Sequence, residues 1–187
     1  DIMKFSEKVD AVDMGTVLSR QAETKELVKK LVSALERPVV LDADCISAIS
    51  DDLHILKRAR KEIVITPYAG EMARLIRKEI NYIQANRKNV AETVAKKYNV
   101  VVVLKGANTV IASPGGEVVI NKTGNPGMAS GGVGDVLTGM IASLIGQGRA
   151  AFDAAVAGVY LHGMAGDIAA KEKTEASLRA RDILDNI

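Results

Sequence analysis

The chain has 187 residues, 48% of them hydrophobic and 26% charged, the makeup of a soluble globular protein with enough apolar mass for a core. Its 25 basic and 23 acidic side chains leave a net charge of +2, and four tyrosines and two phenylalanines are too few for stacking platforms, so no nucleic-acid partner is expected. No apolar run approaches the roughly 18 to 20 residues of a membrane span, no secretory signal is present, and one cysteine, Cys45, cannot form an internal disulfide, so a cytoplasmic protein without a membrane partner is expected.

The chain opens at Asp1 rather than at a methionine, as a fragment or a processed product would. Residues 9–14 read as a short strand interrupted by Asp13. From Glu23 onward, Leu27, Val28, Leu31, Val32 and Leu35 recur at helical spacing until Pro38 stops the helix. Residues 39–41 and 63–65 are short, uniformly apolar strands flanking a helix expected over 51–60. Helical patterns follow over 71–77 and 90–98, then residues 100–104, the most strongly β-forming run of the chain. Segments 108–112 and 117–121 flank Pro114-Gly115-Gly116 and read as a hairpin. Three helices close the chain, over 133–145, 150–170 and roughly 175–186. Strands without internal alternation, set between helices, predict a mostly parallel α/β sheet covered on both faces, in one domain over residues 1–187.

The densest chemical signal is Asn121-Lys-Thr-Gly-Asn-Pro-Gly-Met-Ala-Ser-Gly-Gly-Val-Gly-Asp135, in which Gly124, Gly127, Gly131, Gly132 and Gly134 precede a helix. Glycine lets the backbone approach a ligand closely, and N–H groups at a helix start converge on an anion. Neither Gly-x-x-x-x-Gly-Lys-Ser/Thr nor Gly-x-Gly-x-x-Gly occurs here; what remains is Gly-x-Gly-Asp at a helix start. An aspartate there can take the proton of a hydroxyl that attacks phosphorus, although a plain helix cap is a common alternative role.

This stretch resembles the signature of the ADP/ATP-dependent NAD(P)H-hydrate dehydratases, which are ribokinase-like proteins. Four further segments resemble the family in order: Val40-Leu-Asp-Ala-Asp44, Ile65-Thr-Pro-Tyr-Ala-Gly-Glu71, Leu104-Lys-Gly-Ala-Asn-Thr-Val-Ile111 and Ala157-Gly-Val-Tyr-Leu-His-Gly-Met-Ala-Gly-Asp167. The resemblance implies a three-layer α/β/α domain, N-terminally incomplete, that repairs hydrated NADH or NADPH. The nucleotide phosphorylates the ring hydroxyl and phosphate is then eliminated. It implies Mg2+, with ADP (or ATP) as co-substrate, a homo-oligomer of tetrameric type, and an epimerase domain fused or separate.

Carried over position by position, the resemblance makes Asp135 the catalytic base. Lys105, Gly106, Ala107, Asn108, Thr109, Asn125, Gly131, Gly132 and Gly134 would bind the nucleotide, and Gly15, Tyr68 and Asp135 the substrate. Metal ligands stay unassigned: Glu71 could reach magnesium or simply occupy the first turn of its helix. Asp42 and Asp44 end a strand on the usual ligand side of a parallel sheet. His162 and Cys45 read as buried packing residues. Three departures stand out. Gly15-Thr-Val-Leu-Ser19 replaces the family's Gly-Pro-Gly-Leu-Gly, the family's preceding first strands and glycine-rich turn have no counterpart here, and Tyr68 stands where the family carries histidine. Two other readings share the loop: a ribokinase-like kinase of a vitamin-precursor alcohol, and a nucleotide-binding module impaired in catalysis.

Overall fold

The computed structural model describes residues 2–15, 18–19 and 21–187. Six strands form one sheet in chain order: β1 (Val12–Met14), β2 (Val39–Leu41), β3 (Ile63–Ile65), β4 (Val101–Leu104), β5 (Val110–Ala112) and β6 (Val118–Ile120). Strands β1 to β4 run parallel, and β5 is antiparallel to both of its neighbours.

Sequential parallel strands joined by right-handed crossovers place every connecting helix on the same face. That face carries α2 (Ala22–Ala34), α3 (Ala43–Ala48), α4 (Ala69–Ile76), α5 (Ile80–Ala85) and α6 (Arg87–Tyr98). The opposite face is left for α7 (Val133–Gly146) and α8 (Ala151–Lys173), which follow the hairpin. Strands β2 to β5 read as unbroken apolar runs because both faces are buried. Val39, Leu41, Ile63, Ile65, Val102 and Leu104 pack on the first helical layer. Val40, Val64, Val101, Val103 and Ile111 pack on Leu137, Ile141 and Ile145 of α7 and on the alanines of α8. The result is the three-layer α/β/α architecture expected.

Some boundaries differ from the sequence reading. The first strand shortens to Val12–Met14, where pairing starts with the Val12 N–H on Pro38 O, and α1 (Ile2–Ser6) precedes it. The helix expected over 51–60 is a 3₁₀ helix, Leu53–Arg58, started by the Asp52 carboxylate accepting from the His54 N–H. The last expected helix breaks in two. Thr174 takes φ 75, buried Leu178 and Arg179 are extended, and only α9 (Ala180–Leu184) is α-helical, behind a 3₁₀ turn at Glu175–Ser177. Among the described residues, no helix is long and apolar enough to cross a membrane.

Candidate active site

Polar residues gather where the parallel strands end. Asp42 leaves β2 with its side chain only 6% exposed, and Oδ1 accepts from Thr66 Oγ1 at 2.7 Å and from Lys105 Nζ at 2.6 Å. Lys105 leaves β4 and is therefore no freely solvated lysine; its ammonium is drawn across the strand ends to Asp42. The first turn of α7 meets this pair at Gly134. A methyl on its α-carbon would sit 3.5 Å from Lys105 Nζ and 3.6 Å from Asp42 Oδ2. First-turn N–H groups lack intrahelical acceptors and carry the positive end of the helix dipole. A cation beside that turn is tolerable because Asp42 balances it, and an entering anion would be attracted by both.

A cavity of about 810 Å³ opens beside this pair, lined by Tyr68, residues 105–109, residues 121–126, Val133, Gly134 and His162. Its walls are built by long-range contacts. Gly163 of α8 lets the loop come close: a methyl there would lie 2.1 Å from Thr123 Oγ1. Asp167 of α8 accepts from the Gly124 N–H at 2.9 Å and from Asn125 Nδ2 at 3.0 Å. Asn125 also donates to Gly166 O and accepts from the Gly127 N–H, so its amide is committed to the loop. His162 is buried and hydrogen-bonded through Nε2 to Val133 O at 3.0 Å, which ties α8 to the start of α7. Burial lowers its imidazole below the ordinary value, against the effect of that bond, and the Lys105 charge adds to the lowering.

The other anticipated residues are distributed as follows. Gly131 and Gly132 lie exposed in the turn before α7, outside the cavity wall, with Gly132 left-handed at φ 84. Asp135 follows Gly134 in the first turn of α7 but faces an adjoining groove with Gly139, Met140 and Leu161. Gly15 is buried against the Asp42 backbone, accepts from the Asp44 N–H at 3.2 Å, and does not line the cavity. Thr16 and Val17, in the segment that departs from the family pattern, lie outside the described residues. Tyr68 caps α4, with its ring over Gly70 and its hydroxyl accepting from Arg74 at 3.3 Å. Glu71 is buried and its Oε2 accepts from the Tyr68 N–H at 3.0 Å, a first-turn role. Burial raises its carboxyl above the ordinary range, opposed by that bond and by Lys105. Cys45 is fully buried, and burial pushes its thiol up to about 12, which keeps it inert.

Two contributors were not assigned from sequence. Asp13 of β1 is hydrogen-bonded to Thr138 of α7; burial raises its carboxyl, and the charges of Asp42 and Asp135 push the same way. The signal was available: an aspartate inside an otherwise apolar strand. Arg87 lies behind residues 104–106, and nothing in its sequence neighbourhood marks it. Among the described residues, no three His, Cys, Asp or Glu side chains come together to hold a metal ion.

Comparison with known proteins decides the lineage. The family model described as NAD(P)H-hydrate dehydratase matches residues 2–187. The chain belongs to this family. It is 47% identical to the bifunctional NAD(P)H-hydrate repair enzyme Nnr of Moorella thermoacetica, over 95% of the chain and 34% of that protein. It is 41% identical to the ADP-dependent (S)-NAD(P)H-hydrate dehydratase of Neisseria meningitidis, over 74% of the chain and 47% of that protein. In structure it matches the ADP/ATP-dependent NAD(P)H-hydrate dehydratase of Bacillus subtilis, co-crystallised with ATP/Mg2+, at a TM-score of 0.83 and 31% identity, over 95% of the chain and 63% of that one. Hydroxyethylthiazole kinase of Pyrococcus horikoshii, at a TM-score of 0.77 and 17% identity, shares the fold. The chain thus spans only a third to a half of the curated dehydratase relatives it matches.

Proposed function

We propose that this chain carries the nucleotide-dependent dehydratase part of an NAD(P)H-hydrate repair enzyme, as one ribokinase-like domain over residues 1–187. The observation that carries the reading is the junction at the start of α7. There Lys105, paired with Asp42, sits against Gly134 at the edge of the cavity, with Asp135 the next residue. A cation and a helix N-terminus suit a phosphoryl group in transfer, where charge stabilisation is most of the catalysis.

In this reading the nucleotide enters the cavity along residues 105–109 and 121–125. Asp135 takes the proton as the ring hydroxyl of hydrated NADH or NADPH attacks phosphorus, and the bond between that phosphorus and the nucleotide breaks. The ring nitrogen's lone pair then expels phosphate, a ring proton leaves, and the reduced nicotinamide is restored. Phosphorylation matters because hydroxide is a poor leaving group and phosphate a good one. Gly131 and Gly132 act through the turn that sets the direction of α7, and Gly15 and Tyr68 border the substrate side. Magnesium would arrive on the nucleotide's phosphates, keeping water and phosphate oxygens as most of its ligands. The exposed Tyr160, Leu161, Met164 and Ile168 along α8 support assembly with further copies of the chain. A cytoplasmic repair enzyme, acting with a second repair activity such as an epimerase, fused or separate, completes the reading.

The test is incubation with hydrated NADH, magnesium, and ADP or ATP, following the near-ultraviolet absorbance of reduced nicotinamide. Recovery with release of inorganic phosphate supports the dehydratase. A stable phosphorylated product instead means a kinase, and nucleotide binding without turnover means a binding module.

A further inference from the structure

We propose that Arg87, the first residue of α6, is a positioning residue that holds the loop at residues 105–109 in the shape a nucleotide requires. This rests on the reading above that the loop takes a nucleotide. The side chain reaches from the helical layer to the end of β4. Arg87 Nη2 donates to Leu104 O at 2.8 Å and to Lys105 O at 3.3 Å, while Nη1 donates to Gln84 Oε1 at 3.2 Å. The guanidinium also lies against Gly106: a methyl on that α-carbon would come within 3.1 Å of Nη1 and 3.2 Å of Nη2. Gly106 has φ 139, a backbone conformation that side-chain-bearing residues rarely adopt.

Peptide geometry turns these contacts into a consequence for the cavity. No cis peptide occurs among the described residues, so the Lys105–Gly106 peptide is trans. In a trans peptide the C=O and N–H point in opposite directions. With the Lys105 carbonyl held toward Arg87, the Gly106 N–H points away from it, and Gly106 is part of the cavity wall. The Lys105 N–H is fixed in turn on Pro67 O at 2.8 Å, and the Lys105 ammonium on Asp42. Arg87 therefore sets the direction of a backbone donor beside the site and the point from which Lys105 extends.

The arginine carries a cost. Its Nε is buried without a partner among the described residues. A lysine in its place would bury no such N–H. What lysine lacks is the flat fork that spans two successive carbonyls while lying under a glycine. The contacts call for that fork rather than for positive charge alone.

The test compares Arg87→Lys, Arg87→Met and Gly106→Ala with the parent in the full-length protein. ADP and ATP affinity is measured by calorimetry, KM for the nucleotide and for hydrated NADH by kinetics, and folding by the thermal midpoint. Arg87→Lys is expected to weaken nucleotide affinity and raise nucleotide KM about tenfold, the equivalent of one positioned hydrogen bond to a charged donor, while the KM for hydrated NADH stays within about twofold. Gly106→Ala strains its own backbone at φ 139 and serves as the comparison for a loop disturbed directly. Arg87→Met, which removes the whole fork, should weaken nucleotide affinity at least as much as Arg87→Lys with the same split, so the idea remains testable if Arg87→Lys fails to fold. Nucleotide affinity unchanged in a folded Arg87→Lys or Arg87→Met overturns it, as does an equal loss for nucleotide and hydrated NADH. A parent protein that binds neither ADP nor ATP defeats the nucleotide reading itself, and the role of Arg87 with it.

Discussion

Replacing Lys105 with methionine tests the electrostatic centre of the site. The substitution keeps most of the apolar stem and removes the ammonium 2.6 Å from Asp42 Oδ1. What remains is a carboxylate 6% exposed, holding the Thr66 hydroxyl at 2.7 Å and lying beside the first turn of α7. Stripping one partner from a buried ion pair costs about 3–5 kcal/mol. The surviving Thr66 bond and the helix terminus hold this case to the lower end, about 3 kcal/mol. For a chain of this size that corresponds to a fall of roughly 6–12 °C in thermal midpoint. Asp42→Asn should cost less, because Lys105 is 20% exposed and its long stem can carry the orphaned ammonium into the cavity. The double variant should therefore be more stable than Lys105→Met alone, since it removes the stranded charge. Urea unfolding of the four proteins, with slopes checked for constancy, gives the cycle. Costs that simply add, or a Lys105→Met variant within about 0.5 kcal/mol of the parent, would refute the view that Asp42 depends on Lys105.

Three further outcomes follow from the same geometry. Asp135→Asn should lower kcat by about 10²–10⁴, the usual worth of a positioned base, and leave nucleotide affinity within a few fold; near-full activity would remove Asp135 as the base. Gly163→Ala drives a methyl into Thr123 Oγ1 and should cost about 1–3 kcal/mol while weakening nucleotide binding, because residues 121–125 form part of the cavity wall; unchanged stability by chemical unfolding would contradict the packing. His162 has its imidazole lowered by burial from 6.5, so the unfolded chain binds the proton more readily than the native one. Its contribution is therefore present above pH 6.5 and is lost as pH falls below it; His162→Gln should flatten that part of the stability–pH curve, and an unaltered slope would count against the assignment.

The parts of the fold that sequence made legible depend on local rules. Ile63–Ile65 and Val101–Leu104 are apolar at every position because both faces are covered, and that pattern can be read without knowing which helix covers which face. Gly134-Asp135 was legible for a similar reason, since a glycine-rich turn opening a helix is a local arrangement. The misread helices at 51–60 and 175–186 were decided by single contacts, such as the Asp52 cap on His54 and the burial of Leu178, which periodicity does not encode. Arg87 escaped notice because it meets its backbone partners 17 and 18 residues away in the chain. Asn125 was half legible. Its place on the cavity wall follows from the motif, but its commitment to Gly166 and Asp167 of α8 depends on tertiary packing.

That distribution bears on how the two sides of the site can change. The proposed nucleotide side is fastened from several directions, by Arg87 from α6, by Asp167, Gly163 and His162 from α8, and by the hairpin strands behind residues 105–109. A substitution there disturbs more than one element, so packing strongly restricts what is tolerated. On the proposed substrate side, Gly15 packs against the Asp42 backbone and Tyr68 is 48% exposed, with its ring over Gly70. Tyr68 departs from the family pattern at that exposed position. Tyr68→His should move KM for hydrated NADH and leave that for the nucleotide unchanged. A shift in nucleotide KM instead would mean that the two sides are coupled through the Tyr68–Lys105 pairing at the end of the sheet.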